Sequence, residues 1–120
     1  MNIISAILTE IEEPYNCPTD IIGFASKGRS IANALLSIIN PKEICFFDKT
    51  IKTDPTFHYL DFADMLEKTE IMIFTIELPN QYYNQLDKIN KKVKIFIPKD
   101  LVKTVSILKE KRLKNNLILL

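Results

Sequence analysis

Glycine is scarce in this chain. Only two glycines occur among 120 residues, and both lie in the short segment Gly23-Phe24-Ala25-Ser26-Lys27-Gly28. Glycine lets a backbone turn tightly or come close to another group, because it has no Cβ atom. A chain that uses so little of it is expected to place it where the backbone needs that freedom. The glycine segment is therefore the first candidate for a functional site.

Histidine and cysteine are almost as rare, and their scarcity argues against several kinds of site. The one histidine is His58, and the two cysteines, Cys17 and Cys45, are too far apart for a CxxC metal motif. No Gly-x-Ser-x-Gly segment occurs, so nothing indicates the nucleophile of an α/β-hydrolase. We expect no metal site, and we expect His58 in a loop or an edge strand.

Long apolar runs are absent as well. No stretch approaches the roughly 20 apolar residues that are needed to span a bilayer. The first four residues contain no Lys or Arg of the kind that begins a secretory signal. Hydrophobic residues at 47% and charged residues at 26% are values of a globular protein. These observations predict one domain over residues 1–120, located in the cytoplasm and without membrane contact.

The net charge is only +1, which argues against a dedicated nucleic-acid-binding protein. Its distribution is uneven, because residues 88–120 hold ten Lys or Arg against two Asp or Glu, whereas residues 1–87 hold six against 13. The basic C-terminal third has two possible interpretations. It forms a patch for an anionic partner, or its lysines cover the solvent-facing sides of two helices.

Apolar and polar segments alternate along the chain without a repeat or a linker. The predicted strands are residues 2–8, 20–24, 43–48, 71–76, 93–97 and 117–120, and the predicted helices are residues 27–39, 62–68, 80–91 and 100–114. Asp61 and Asp100 are the expected caps of two of these helices. The alternation predicts an α/β fold, namely a Rossmann-like, doubly wound and mainly parallel sheet of five or six strands with helices on both faces.

The glycine segment joins a predicted strand to a predicted helix, and Asp48 is the last residue of the next predicted strand, 20 positions after Gly28. This order is that of a dinucleotide-binding βαβ unit. Gly23 would permit the tight turn and Gly28 the close packing of the helix. Ala25 occupies the position of the usual middle glycine, where its Cβ takes up space near the pyrophosphate.

The same unit predicts how a dinucleotide would be held. Amides of the first helical turn would bind the pyrophosphate, Ser26 could cap the helix or bond a phosphate oxygen, and Lys27 or Arg29 could supply positive charge. Asp48 would accept hydrogen bonds from a ribose diol and would repel a 2′-phosphate, which favours NAD over NADP.

From residue 20 to the C-terminus the chain resembles the cofactor domain of D-isomer-specific 2-hydroxyacid dehydrogenases. The resemblance rests on segments 23–28, 46–48, 61–73 and 94–100 and on the loop that contains Pro79. It implies a Rossmann fold and an NAD cofactor. The glycine segment together with Asp48-Lys49-Thr50 is also similar to the C-terminal domain of sugar C-methyltransferases.

The chain departs from the dehydrogenase pattern at residues that the resemblance implies to be catalytic. Pro98-Lys99-Asp100 stands where the family carries an arginine, and the family's acid, histidine and substrate domain have no counterpart. We therefore expect an NAD-binding domain without catalytic residues of its own, acting as a sensor, a regulatory subunit or part of a split enzyme. The alternatives are a degenerate Rossmann scaffold that binds a protein partner, and a small oxidoreductase whose site is completed in a homodimer.

Overall fold

The computed structural model of the chain describes residues 3–10, 18–23, 25–38, 43–47, 58–59, 61–89, 91–111, 113 and 116–120. The helices are α1 (Ile3–Glu10), α2 (Ala25–Ile38), α3 (Phe62–Lys68), α4 (Asn80–Gln85) and α5 (Val102–Glu110), and a 3-10 turn (Leu86–Lys88) continues α4. The strands are β1 (Pro18–Ile22), β2 (Glu43–Phe47), β3 (His58–Tyr59), β4 (Ile71–Phe74), β5 (Lys94–Ile97) and β6 (Leu117–Leu119).

These strands form one sheet in the order β3-β2-β1-β4-β5-β6, and each described pairing is parallel. The order is that of a doubly wound Rossmann fold. Strands β2 and β3 are added on one side of β1, whereas β4, β5 and β6 are added on its other side. The strand order therefore reverses between β1 and β4, and the crevice of such a sheet opens at their carboxyl ends.

The core has one layer on each face of the sheet. On one face Ile21, Ile73 and Phe96 pack with Ile7 of α1 and with Ile31, Ala32 and Leu35 of α2. On the other face Ile22, Met72 and Phe74 pack with buried residues of α3, α4 and α5. Neighbouring residues of β1 and β4 thus point to opposite layers, as the pleat of a strand requires. All four residues of β4 are buried, which confirms the prediction of a strand covered on both faces.

The first predicted element is wrong. Residues 2–8 were expected to form a strand, but α1 covers Ile3–Glu10. Ile4 and Ile7, three positions apart, contact the core, whereas Ser5 and Thr9 are exposed. This spacing is that of a helix face, and a short apolar run does not distinguish the two structures by its composition alone. The sequence prediction also omitted β3, at the edge of the sheet, which contains His58 as an edge-strand residue.

Neither of the two predicted helix caps acts as expected. Asp61 is the N-cap residue of α3, but its side chain makes no capping hydrogen bond. Asp100 is not the N-cap of α5, because the N-cap residue of that helix is Leu101. The helix also ends at Glu110 rather than near residue 114. A side chain from the loop after β4 binds the start of α5 instead: the Lys103 amide donates a hydrogen bond of 2.8 Å to Glu77 Oε1.

Thr19 in β1 provides a test of this core. Its side chain is 2% exposed, and its hydroxyl has no hydrogen-bond partner within the described residues. A buried hydroxyl without a partner costs free energy, so the isosteric change Thr19→Val should raise the free energy of unfolding by about 1 kcal/mol. Thermal denaturation checks this. Thr69→Val is the control and should destabilise the protein, because the Thr69 hydroxyl donates to the Ile71 carbonyl at 2.8 Å.

Candidate glycine-turn site

The turn after β1 is built on Gly23. This residue is buried and has a φ of 75°, in the left-handed region that glycine adopts without strain. Its amide donates to the Phe47 carbonyl at the end of β2, over 3.0 Å. Helix α2 starts at Ala25, so a single residue separates Gly23 from the helix. The chain therefore passes from strand to helix in a very tight turn at the carboxyl end of β1.

The end of β4 holds this turn from the other side. The Thr75 amide donates to the Ile22 carbonyl at 2.9 Å, and the Thr75 hydroxyl lies within hydrogen-bond distance of the carbonyls of Ile22 (2.8 Å) and Gly23. The Ile76 side chain packs on Gly23 so closely that a Cβ at Gly23 would lie 2.0 Å from Ile76 Cγ1. The glycine is thus required both by its backbone conformation and by its contact with Ile76, two residues beyond β4.

The structure brings the predicted glycine-segment residues together, but not as a loop. Ala25, Ser26, Lys27 and Gly28 all lie in the first turns of α2, and Gly28 is buried. The helix begins two residues earlier than predicted. Ser26 is therefore inside the helix and does not occupy the N-cap position. Asp48 lies outside the described residues.

The loop between β4 and α4 begins at the carboxyl end of β4 and is fixed to α5. The buried Tyr83 hydroxyl accepts a hydrogen bond from the Leu78 amide at 2.9 Å and lies 2.5 Å from Thr104 Oγ1. Glu77 adds its hydrogen bond to the Lys103 amide, and Lys103 Nζ lies 5.8 Å from the centre of the Tyr83 ring. The loop that follows β4 is therefore held to α4 and α5 by side-chain contacts.

The two adjacent tyrosines of α4, Tyr82 and Tyr83, are buried to different extents. Tyr83 is 3% exposed, as a packing residue should be. Tyr82 is only half-buried, however, and its ring lies 4.9 Å from that of Phe47 and 5.3 Å from that of Phe62. Both tyrosines thus contribute to the core, Tyr83 as a buried residue and Tyr82 as a half-buried one.

Several residues of this site were not predicted to matter: Thr75, Ile76, Glu77 and Thr104. One signal was present for Thr75, which is the single polar residue in the apolar run 71–76. A polar residue within a buried strand pattern indicates that its side chain has a hydrogen-bonding task. For Glu77 and Thr104 no comparable signal exists, because their partners lie 26 and 21 residues away in the sequence.

The lysines of the C-terminal third lie mainly on the surface. Lys88, Lys91, Lys92, Lys94, Lys99, Lys103 and Lys109 are exposed. Lys111 pairs with Asp87 at 2.7 Å, and Lys91 Nζ donates to the Glu67 carbonyl at 2.8 Å. A cavity of about 350 Å³ is lined by Ala63, Leu66, Glu67, Lys88, Ile89 and Lys91. Its residues precede β4 and β5, so the cavity lies at the end of the sheet opposite the glycine turn.

Within the described ranges no three His, Cys, Asp or Glu residues come together as a metal site would require. No helix among these residues has both the length and the apolar character to cross a bilayer.

No protein-family profile matches this sequence, and no curated protein matches it in sequence. Solved structures do match its fold. The NAD-complexed D-isomer-specific 2-hydroxyacid dehydrogenase of Lactobacillus delbrueckii ssp. bulgaricus is 20% identical with a TM-score of 0.62, over 91% of this chain and 37% of that chain. A glycerate dehydrogenase-related protein of Thermoplasma acidophilum is 15% identical with a TM-score of 0.60, over 96% of this chain and 45% of that chain.

An acyclic imino acid reductase solved with NADPH and D-Arg is 15% identical with a TM-score of 0.61. The match covers 88% of this chain and 36% of the reductase. This chain thus spans less than half the length of each of these three proteins. The resemblance to D-2-hydroxyacid dehydrogenases, predicted from the sequence, is confirmed at the level of the fold, which is the Rossmann-like α/β fold of those enzymes.

Proposed function

We propose that this chain binds a dinucleotide, NAD, at the glycine turn between β1 and α2. One observation carries the proposal: the turn lies where the strand order reverses, with Gly23 at φ 75° and α2 starting two residues later. Ligands of doubly wound sheets bind in the crevice outside the carboxyl ends of the strands at that point. The N-terminus of α2 would there present amide donors and the positive end of its dipole to a pyrophosphate.

The residues of the turn fit this role in part. Gly23 and Gly28 stand at the first and third glycine positions of the dinucleotide-binding pattern, whereas Ala25 replaces the middle glycine. Alanine is the smallest replacement, so the space for the pyrophosphate is reduced rather than filled. Asp48, which follows the last residue of β2 in the chain, would accept hydrogen bonds from the adenosine ribose. The Lactobacillus delbrueckii relative was solved with NAD, which supports the same assignment.

We propose further that residues 1–120 act as one nucleotide-binding domain without a complete active site, as a sensor, a regulatory subunit or part of a split enzyme. Lys99, exposed in the loop after β5, stands where the dehydrogenase resemblance implies an arginine. Lysine is a point charge and lacks the bidentate fork with which arginine holds a carboxylate. His58 lies on the edge strand β3, three strands from β4 in the sheet order.

A second candidate, a degenerate scaffold for a protein partner, is favoured by the contact between Ile76 and Gly23. This contact and the left-handed φ account for Gly23 without a ligand. The two candidates differ in what binds. Calorimetric titration with NAD, NADP, ATP and S-adenosylmethionine tests them: saturable binding of NAD supports the first, and no heat with any of the four nucleotides would contradict it.

The preference between NAD and NADP gives a sharper prediction. We expect NAD to bind more tightly than NADP, because the Asp48 carboxylate should accept from the ribose diol and repel a 2′-phosphate. Asp48→Ala should narrow this preference, by about tenfold if one charge-assisted hydrogen bond is lost. The measurement is the ratio of the two dissociation constants in both proteins. Equal affinities in the unsubstituted protein would contradict the role of Asp48.

A further inference from the structure

Gly23 is held through both of its backbone polar groups. Its amide donates to the Phe47 carbonyl of β2 at 3.0 Å, and its carbonyl shares with that of Ile22 the hydroxyl of Thr75, just beyond β4. Its φ of 75° places it in a conformation that only a glycine adopts readily. The turn is therefore clamped between the two strands that flank β1.

Of the two contacts that hold Gly23, only the one with Thr75 depends on a side chain. Its backbone amide already donates to the Ile22 carbonyl at 2.9 Å, which continues the pairing of β4 with β1. Its hydroxyl lies 2.8 Å from the Ile22 carbonyl oxygen and is also within hydrogen-bond distance of the Gly23 carbonyl, one residue beyond the end of β1. The side chain is 3% exposed, so water does not compete effectively for the bond.

We infer that Thr75 is a positioning residue for the proposed phosphate-binding turn. The peptide group is planar, so a donor that holds the Gly23 carbonyl also holds the orientation of the whole peptide leading into α2. The first amides of α2 are the donors proposed for the pyrophosphate. Thr75 would fix their direction before the ligand arrives, and preorganised donors bind a ligand more tightly than mobile ones. This inference rests on the proposed function.

The test compares two buried threonines at opposite ends of β4. Thr75→Val removes the hydroxyl at the carboxyl end, beside Gly23, while Thr75→Ser retains it. Thr69→Val is the matched control, since the Thr69 hydroxyl is also fully buried and donates to the Ile71 carbonyl at 2.8 Å, at the amino end of the strand. Dissociation constants for NAD are measured by calorimetry, well below the melting temperature of each protein.

We expect Thr75→Val to weaken NAD binding by about tenfold, the effect of one hydrogen bond of ordinary strength. Thr75→Ser should restore affinity to within about twofold of the unsubstituted protein, and Thr69→Val should leave affinity unchanged although it lowers the melting temperature. If Thr75→Val does not fold, the comparison of Thr75→Ser and Thr75→Ala with the unsubstituted protein decides the question in the same way.

The outcomes separate this inference from the proposed function. If the unsubstituted protein binds NAD and Thr75→Val binds it equally well, Thr75 has no positioning role and the proposed function stands. An equal loss of affinity in Thr69→Val would also overturn the positioning role, because the effect would then follow from stability alone. If the unsubstituted protein binds no NAD, both fail together.

Discussion

Gly23→Ala is expected to lower the free energy of unfolding by about 2–5 kcal/mol. An alanine in the left-handed region costs about 1–2 kcal/mol, and overpacking adds typically 1–3 kcal/mol. The overpacking is specific, because the new Cβ would lie 2.0 Å from Ile76 Cγ1 and 2.8 Å from its Cδ1. A domain of this size has a total stability of roughly 6–18 kcal/mol. Chemical denaturation of both proteins measures the difference.

The substitution Ile76→Ala separates the steric cost of Gly23→Ala from its backbone cost. It removes Cγ1 and Cδ1 and leaves the Ile76 Cβ, which would lie 3.0 Å from the new atom at Gly23. In the double variant the collision with Cγ1 and Cδ1 should therefore be removed, while the tight contact with the Ile76 Cβ and the backbone strain should remain. A double-mutant cycle is expected to show a coupling of about 1–3 kcal/mol. No coupling would mean that Ile76 does not pack on Gly23 as the structure has it.

Tyr83→Phe is expected to lower the free energy of unfolding by about 2 kcal/mol, because it leaves buried groups without partners. The Tyr83 hydroxyl accepts from the Leu78 amide at 2.9 Å and is paired with Thr104 Oγ1 at 2.5 Å. Leu78 and Thr104 are themselves buried, at 3% and 0% exposure, so water does not replace the lost hydroxyl without rearrangement. Thermal or chemical denaturation provides the measurement.

Tyr82→Phe is the matched control for this change, since it removes the same atom from the adjacent residue. In the described part of the chain the Tyr82 hydroxyl makes no hydrogen bond, and its ring contacts with Phe47 and Phe62 would be retained. We expect a change within about 0.5 kcal/mol, as for most substitutions away from a specific interaction. Equal losses in the two variants would contradict the assigned role of the Tyr83 hydroxyl.

The sequence predicted the elements whose pattern is local. The apolar run at 71–74, the spacing of Phe62, Met65 and Leu66, and the glycine segment between a strand and a helix each carry their information within a few residues. These predictions led to an α/β fold with a parallel sheet and to the correct place for the turn. Residues 2–8 were mistaken because a short apolar run fits a strand as well as a helix face.

The contacts that shape the candidate site were not predictable in the same way. Thr75 reaches Ile22 across 53 positions and Glu77 reaches Lys103 across 26. Such pairs depend on the strand order, which places β4 beside β1 and β5 beside β4. The capping of α5 shows the consequence. Asp100 had the residue type and the position of a cap, but the carboxylate of a neighbouring loop binds the helix amide instead.

The central claim, that a dinucleotide binds at the glycine turn, can be tested with the two glycines themselves. Because Gly23 and Gly28 are the only glycines, protein labelled with ¹⁵N at glycine alone should give two amide signals, both from the turn and the start of α2. Titration with NAD should shift both signals saturably, with the dissociation constant found by calorimetry. Two signals that stay unmoved at saturating NAD, in a protein that remains folded, would contradict the claim.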